Sequence, residues 1–470
     1  MKILLFIPKC GIIKYGGIAM NVNEFKNTVK NKKISVIGLG ISNRPLIKYL
    51  VRLGADVTVY DKSTKEQLGE NYDEFSALGI NFVTGENYLD NLTGEIIFKT
   101  PGLRFDNPAL LAAKARGSIV TSEMEVFFDI CPAKIIAVTG SDGKTTTTTL
   151  IYKMMTESGY KTWLGGNIGN PLLADAENMS ENDWVILELS SFQLHTMRKS
   201  PQIAVITNLS PNHLDVHKDY REYIDAKKNI MLYQGKGDKL VVNAANEETA
   251  KIGKEARGKC VEFTSKGDAY IHLDGDMIMR GSEPVLNIND IKIPGMHNVE
   301  NYMAAIAAVE GLASDTVIQN IAKTFGGVEH RIELVRTLDG VRYYNSSIDS
   351  SPNRTINTLK VFADKVILIA GGKDKGIPYD DVGPAIAEKV KLLILIGKTA
   401  DKIEDAVRKT GKCNDLEIIR AESYDEVVKI AHDRAKSGDV VLLSPASTSF
   451  DMFANFEERG NLFKKLVNEL

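Results

Sequence analysis

The residues with the clearest chemical purpose form one short run. Gly140-Ser141-Asp142-Gly143-Lys144-Thr145-Thr146 follows an apolar stretch at 135–139 and precedes a helical pattern reaching 155. Glycines let backbone N–H groups approach phosphate oxygens, a lysine neutralises their charge, and the Thr145 hydroxyl can ligate Mg2+. The spacing is a short Gly-x-x-Gly-Lys-Thr. The first glycine of the usual longer loop would fall at Val138, so the loop is ATP-binding in chemistry and a variant in form.

Two more polar sites end apolar runs downstream. The run 184–187 leads into Glu188-Leu189-Ser190-Ser191-Phe192-Gln193, and the run 204–207 leads into Asn208-Leu209-Ser210-Pro211-Asn212-His213. Glu188 suits a Mg2+ ligand, a base or a helix cap, and His213 stands where a ligand or general base would be placed. Lys227 lies on a helix expected over 223–230. Lysines on a helix are normally a solvated face, so the pattern alone gives Lys227 no role. Nearer the N-terminus, Gly38-Leu39-Gly40-Ile41-Ser42-Asn43 opens a helix after a strand, and Asp61 ends the next strand. This nearly matches a dinucleotide fingerprint, with Asn43 in place of the third glycine. Free N–H groups at a helix start suit a diphosphate. A nicotinamide cofactor, another nucleotide diphosphate and a purely structural tight turn all remain open on this segment.

The elements that must position these residues alternate in a regular way. Val/Ile/Leu runs at 33–37, 56–60, 135–138, 184–187, 204–207, 239–242, 366–370, 392–396 and 440–443 are separated by helical stretches. That alternation predicts an α/β fold with mainly parallel sheets and ligands at the strands' carboxyl ends. A chain of 470 residues has room for about three domains. With 58 Lys and Arg against 61 Asp and Glu, the net charge of −3 gives no general field for binding nucleic acid. The four cysteines (Cys10, Cys131, Cys260, Cys413) form no CxxC pair, which fits a reducing cytoplasm. No apolar run reaches the roughly 20 residues of a membrane span. The segment Ile3-Leu4-Leu5-Phe6-Ile7 stops at Pro8-Lys9, short of an export signal's core of about 7–15 residues. Gly16-Gly17-Ile18-Ala19-Met20 can be encoded by GGAGGAATAGCAATG, a purine-rich ribosome site before a start codon. Translation is therefore expected to begin at Met20, with 1–19 an extension.

Taken in order, the motifs at 139–146, 188–193, 208–213, Ala226-Lys227, 295–301 and Glu329-His330-Arg331 resemble the Mur ligase family of ATP-dependent amide-forming enzymes. Leu443-Ser444-Pro445-Ala446-Ser447-Thr448-Ser449-Phe450-Asp451, followed by Asn455-Phe456-Glu457-Glu458-Arg459-Gly460, resembles its D-glutamate-adding branch. The likeness covers 32–470. It implies a Rossmann-like UDP-binding domain (20–122), a central P-loop-type ATPase domain (123–327) and a C-terminal Rossmann-like amino-acid-binding domain (328–470). It also implies a cytoplasmic monomer joining UDP-N-acetylmuramoyl-L-alanine to D-glutamate through an acyl phosphate, with ATP and two Mg2+. Carried over by the resemblance, Gly140 to Thr146, Asn298, Asn301 and Arg331 would bind ATP, with Lys144 on its phosphates. Thr145, Glu188, His213 and a carbamylated Lys227 would serve the metals; Lys144, Glu188, His213 and Lys227 form the catalytic set. Ile41, Ser42, Asp61, Thr100, Gly102 and Asn167 match the UDP-substrate side, and Lys375, Ser449 and Phe456 the D-glutamate pocket.

One segment departs from the family. Where many relatives carry Asn-Asp-Ser-Lys-Ala-Thr-Asn, this chain has Asn345-Ser346-Ser347-Ile348-Asp349-Ser350-Ser351. The family acid falls on Ser346 and its lysine on Ile348, unless Asp349 replaces the acid after a local shift. A ribose contact and an amino-acid contact are the ones affected. Three rival readings remain. An oxidoreductase built on 33–61 leaves the phosphate loop idle. Another branch of the family, adding a different amino acid or polyglutamate, is opposed by the 455–460 signature and the Rossmann-like first domain. A non-catalytic nucleotide binder is opposed by Glu188, His213 and Lys227 occurring together.

Overall fold

The computed structural model describes residues 20–40, 42–213, 216–374, 376, 378–412 and 415–470. The expected extension 1–19, together with Ile41, Lys375, Cys10 and Cys413, lies outside them. Two compact units form: the described part of Met1–Leu286 with Glu300–Ile318, and Asn287–Val299 with Gln319–Leu470.

The first unit holds two sheets. The smaller is parallel and five-stranded, in the order Asn81–Thr84, Asp56–Asp61, Lys33–Ile37, Ile96–Phe98, Ile119–Thr121. The larger has nine strands. Its parallel heart runs Lys239–Asn243, Ile203–Ile206, Lys134–Thr139, Trp184–Glu188, Thr162–Gly166, so the strand that feeds the phosphate loop lies between the strands that end at Glu188 and just before Asn208. Both faces of such a sheet are covered, which is why these strands read as unbroken apolar runs. One hydrophobic core joins the two sheets, with Val36, Phe98, Phe127, Leu187 and Ile206 all fully buried in it. Three sheets thus carry the three expected domains, and the first two behave as one body because they share that core.

The second unit is built on a six-stranded sheet, Glu333–Leu338, Val341–Asn345, Val440–Leu443, Val366–Ala370, Val390–Leu395, Glu417–Arg420, parallel except for its first pair. All nine strands expected from apolar runs are present, with ends shifted by at most two residues. Strands missed by that pattern are short, such as Ile96–Phe98 and Ile119–Thr121, or belong to edge hairpins such as Ile271–Asp274 with Met277–Arg280. Among the described residues, no helix is long and apolar enough to cross a membrane. Cys131 and Cys260 are free thiols, and burial pushes both up to about 11.

Candidate active site at the end of the central sheet

The loop between Lys134–Thr139 and the helix Lys144–Glu157 is tied down from several sides. Gly143 starts the helix in a left-handed conformation (φ 77°), and a Cβ there would collide with Asn301 Oδ1. A Cβ on Gly140 would collide with Thr207 Oγ1. Ser141 N and Asp142 N donate to Asn208 O and Oδ1 at 2.9 and 3.0 Å. Thr207 Oγ1 donates to Asp142 O at 2.6 Å, and Lys144 Nζ to Ser141 O at 2.9 Å. Ser141 Oγ and Tyr223 OH share a hydrogen bond of 2.9 Å. The loop is therefore shaped before any phosphate arrives, and the helix N-terminus aims its dipole at the same place. Thr145 is buried on the first turn, while Asp142 is exposed.

Glu188 ends the neighbouring strand and is 2 % exposed. Its Oε1 accepts from Asn167 Nδ2 at 2.8 Å, whereas Oε2 is buried with no hydrogen-bond partner. An orphaned buried carboxylate oxygen is costly unless a cation takes it, so the donor set fits a hard metal. Lys227, on the helix Tyr220–Leu232, is also 2 % exposed. Its Nζ donates to Gly140 O at 2.7 Å and Thr139 Oγ1 at 3.2 Å, and lies 4.9 Å from the Tyr223 ring. Burial first, and the nearby Lys144 second, hold its pKa well below the usual lysine value. This lysine is thus not on a solvated face; it enters the phosphate loop from beneath. His213 is exposed, has φ 55°, and meets the Phe192 ring edge-on at 5.2 Å.

On the smaller sheet, Asp61 caps the glycine turn: its Oδ2 accepts from Leu39 N at 2.7 Å and its Oδ1 from Ser63 N at 2.8 Å. Asn43 is buried and donates from Nδ2 to both Ile37 O and Gly38 O at 2.9 Å. It closes the turn, which explains why this position is not glycine. Ser42 and Gly102 are exposed, and the Thr100 side chain lies against Gly38. Asn167, expected on the UDP side, is joined directly to Glu188.

Asn301 touches the phosphate loop through Thr147, whose Oγ1 donates to Asn301 Oδ1 at 3.3 Å. Asn298 belongs to the second unit and donates to Pro294 O at 2.7 Å. Arg331 is exposed on that unit, beside the buried His330, whose Nδ1 lies 2.9 Å from Asn345 Nδ2. Ser449 is buried and Phe456 half-buried, its ring edge-on to His330 at 5.9 Å. At the segment that departs from the family, Ser346 is fully buried. Asp349 accepts from Thr358 Oγ1 and Ser444 Oγ at 2.8 Å, and burial raises its pKa. That carboxyl is held inside the second unit's core.

The sequence reading missed a group between the two sheets of the first unit. Arg104 donates to Asp106, to Glu222 from both Nη atoms (3.0 and 2.9 Å), and to Val216 O at 2.7 Å. His195 and His217 lie 3.8 and 3.5 Å from Glu222. Burial pulls the His195 pKa down to about 4 and lowers that of His217. With Glu222, these imidazoles bring ligand atoms within 4.8 Å of one another, but Arg104 already holds the carboxylate. No spacing in the sequence joins residues 104, 195, 217 and 222, so only the fold could reveal them.

Three family models match in chain order: a Mur ligase MurD-like N-terminal domain over 32–122, a Mur ligase middle domain over 138–309 and a Mur ligase glutamate ligase domain over 330–447. The chain is 57% identical to the UDP-N-acetylmuramoylalanine--D-glutamate ligase of Acetivibrio thermocellus, over 96% of this chain and 99% of that one. The chain belongs to the Mur ligase family. A ligase of the same name from Ruminiclostridium cellulolyticum is 56% identical over the same shares. Two Mur ligase crystal structures share the fold. The UDP-N-acetylmuramate-alanine ligase MurC of Thermotoga maritima has a TM-score of 0.58 and 20% identity, over 93% of this chain and 99% of that one. MurF of Acinetobacter baumannii has a TM-score of 0.56 and 15% identity, over 94% and 92%.

Proposed function

We propose that this Mur ligase is an ATP-dependent enzyme that adds D-glutamate to UDP-N-acetylmuramoyl-L-alanine in peptidoglycan precursor synthesis. The observation that carries the reading is the 57% identity, over nearly the whole of both chains, to a relative named for that ligation. Residues 20–122 take the UDP-linked acceptor, 123–327 take ATP, and 328–470 take D-glutamate, with Lys375, Ser449 and Phe456 in its pocket. The chain works as a cytoplasmic monomer.

A carboxylate is a poor electrophile. In the first step an L-alanyl carboxylate oxygen attacks the γ-phosphorus of ATP, and ADP leaves. In the second the D-glutamate amine attacks the acyl-phosphate carbon, and the tetrahedral intermediate expels phosphate to leave the amide. The protein's part is positioning and charge neutralisation. Lys144 and the N–H groups at the start of the helix Lys144–Glu157 hold the transferred phosphoryl group. Asn298, Asn301 and Arg331 hold the rest of the nucleotide. Ile41, Ser42, Asp61, Thr100, Gly102 and Asn167 orient the acceptor. Thr145, Glu188, His213 and Lys227 would hold two Mg2+, which when bound neutralise charge on the phosphates. Burial that shifts Lys227 toward its neutral amine makes it able to attack CO2 and lose a proton, giving the carbamate oxygens that a hard cation prefers.

The test is ADP release with UDP-N-acetylmuramoyl-L-alanine and a panel of amino acids. Turnover is expected with D-glutamate. Turnover with an L-amino acid and none with D-glutamate would remove the proposal in favour of another branch.

A further inference from the structure

Lys99 follows the three-residue strand Ile96–Phe98, at the same sheet end as the Gly38 turn, because that strand pairs in parallel with Lys33–Ile37. The residue is 4 % exposed. Among the described residues, its Nζ has no hydrogen bond and no ion pair within 4 Å, although the buried carboxyl of Glu125 attracts it. It lines a small, partly open pocket together with Arg104, Phe105, Phe192, His195 and His217. Every other charge on that wall is spoken for. Arg104 is shared between Asp106 and Glu222, and the buried His195 is neutral at ordinary pH.

A buried charge with no group in hydrogen-bond or ion-pair contact destabilises a fold, and burial lowers the pKa of this lysine accordingly. Such a group persists where a ligand supplies the missing charge. The pocket wall includes Gly102, exposed and with no atom within 4 Å of where a Cβ would be, and Thr100 packs on the glycine turn. We propose that Lys99 is a binding residue for an anionic oxygen group, carboxylate or phosphoryl, carried by the UDP-linked acceptor. The assignment rests on the acceptor proposed above. It goes beyond it in naming the side chain and the pocket that meet the anion.

Lys99→Met keeps the length and apolar stem and removes the charge. A lysine buried for structural reasons would lower Tm when replaced. A lysine kept for a ligand leaves Tm unchanged or raises it, while affinity falls. Calorimetric titration of the full chain with UDP-N-acetylmuramoyl-L-alanine, UDP alone and ATP reads the difference. The expected result is an acceptor Kd raised by about 10-fold or more, as for loss of a charge-assisted hydrogen bond, with the ATP Kd unchanged. A matching loss with UDP assigns the anion to the diphosphate; a loss confined to the whole acceptor assigns it to the L-alanyl carboxylate. Lys99→Arg should retain part of the affinity. Unchanged acceptor binding in Lys99→Met, or a fall in Tm with acceptor and ATP affinity lost together, overturns the proposal. So does a Lys99→Met chain that does not fold while Lys99→Arg binds as the parent does. Binding is read without turnover. A parent chain that binds the acceptor but makes no amide would break the proposed function and leave the role of Lys99 standing.

Discussion

Two strand–glycine–helix turns in the first unit look alike as sequence and differ in how much of their space the protein itself fills. At the phosphate loop, a methyl group on Gly140 or Gly143 would run into Thr207 or Asn301. The backbone amides of Ser141 and Asp142 are already bound to Asn208. At the first turn, Gly40 has no atom within 4 Å of where its Cβ would be, and a Cβ on Gly38 would make only ordinary contacts of 3.6 Å or more. A phosphoryl group that is transferred must be met by groups fixed in advance, since reorganisation during the step raises the barrier. A diphosphate that is only held needs N–H groups and room. The crowded turn is suited to chemistry and the open one to binding.

The strongest way to break this contrast is Lys144→Ala. The loop keeps its shape through Asn208, Thr207 and Tyr223, so Tm should stay close to that of the parent chain. ADP release should fall by roughly 10³-fold, as when a preorganised charge-stabilising group is removed. A Lys144→Ala enzyme with ordinary turnover would take the crowded loop out of the mechanism. Lys227→Ala comes next. Loss of about 10²-fold or more is expected, with partial recovery on adding a short carboxylate that supplies the missing oxygens. Steady-state assays with and without formate check it, and the parent chain should show no such gain.

The two turns can also be compared by one methyl group each. Gly143→Ala meets both a left-handed φ and Asn301 Oδ1, and should destabilise by roughly 2–4 kcal/mol in denaturant titration. Gly40→Ala meets neither, and should change stability by no more than about 0.5 kcal/mol while raising the KM for the UDP-linked substrate. If Gly40→Ala proved as unstable as Gly143→Ala, the first turn would be as filled as the second and the contrast would fail.

How legible each site was follows from the range of the interactions that make it. The phosphate loop is contiguous, so residue types at 140–146 announce it. Glu188 and His213 could be placed because strands end before them, a local signal. Lys227 could not: whether a helical lysine faces water or a core depends on what packs against Tyr220–Leu232, and here that is the strand and loop at Thr139 and Gly140. Lys99 escaped because a three-residue strand leaves almost no pattern, and the pocket it lines is completed by the 192–217 segment about a hundred residues away. The Asp349 carboxyl, considered as a stand-in for the family acid, takes its partners from Thr358 and Ser444, the latter on a distant strand end. Fold class was readable because the apolar runs are central parallel strands, covered on both faces. The edge strands were not, since one-sided burial and short length weaken the same signal.

Asn43 gives the smallest and most specific test. Read as a motif, it is a defect in a dinucleotide fingerprint. In the fold its amide spans the turn, bonding Ile37 O and Gly38 O from a buried position. Asn43→Ala should therefore cost about 1–2 kcal/mol, the usual range for leaving buried acceptors without their donor. Asn43→Gly completes the fingerprint and loses the same two bonds. It should be at least as unstable, with no gain in affinity for NAD+ in a calorimetric titration. If Asn43→Gly were instead as stable as the parent and acquired NAD+ binding, the open turn would be a nicotinamide site with one altered residue. The side-chain bridge predicts otherwise: the space around Gly40 stays open because Asn43 holds the turn closed beneath it.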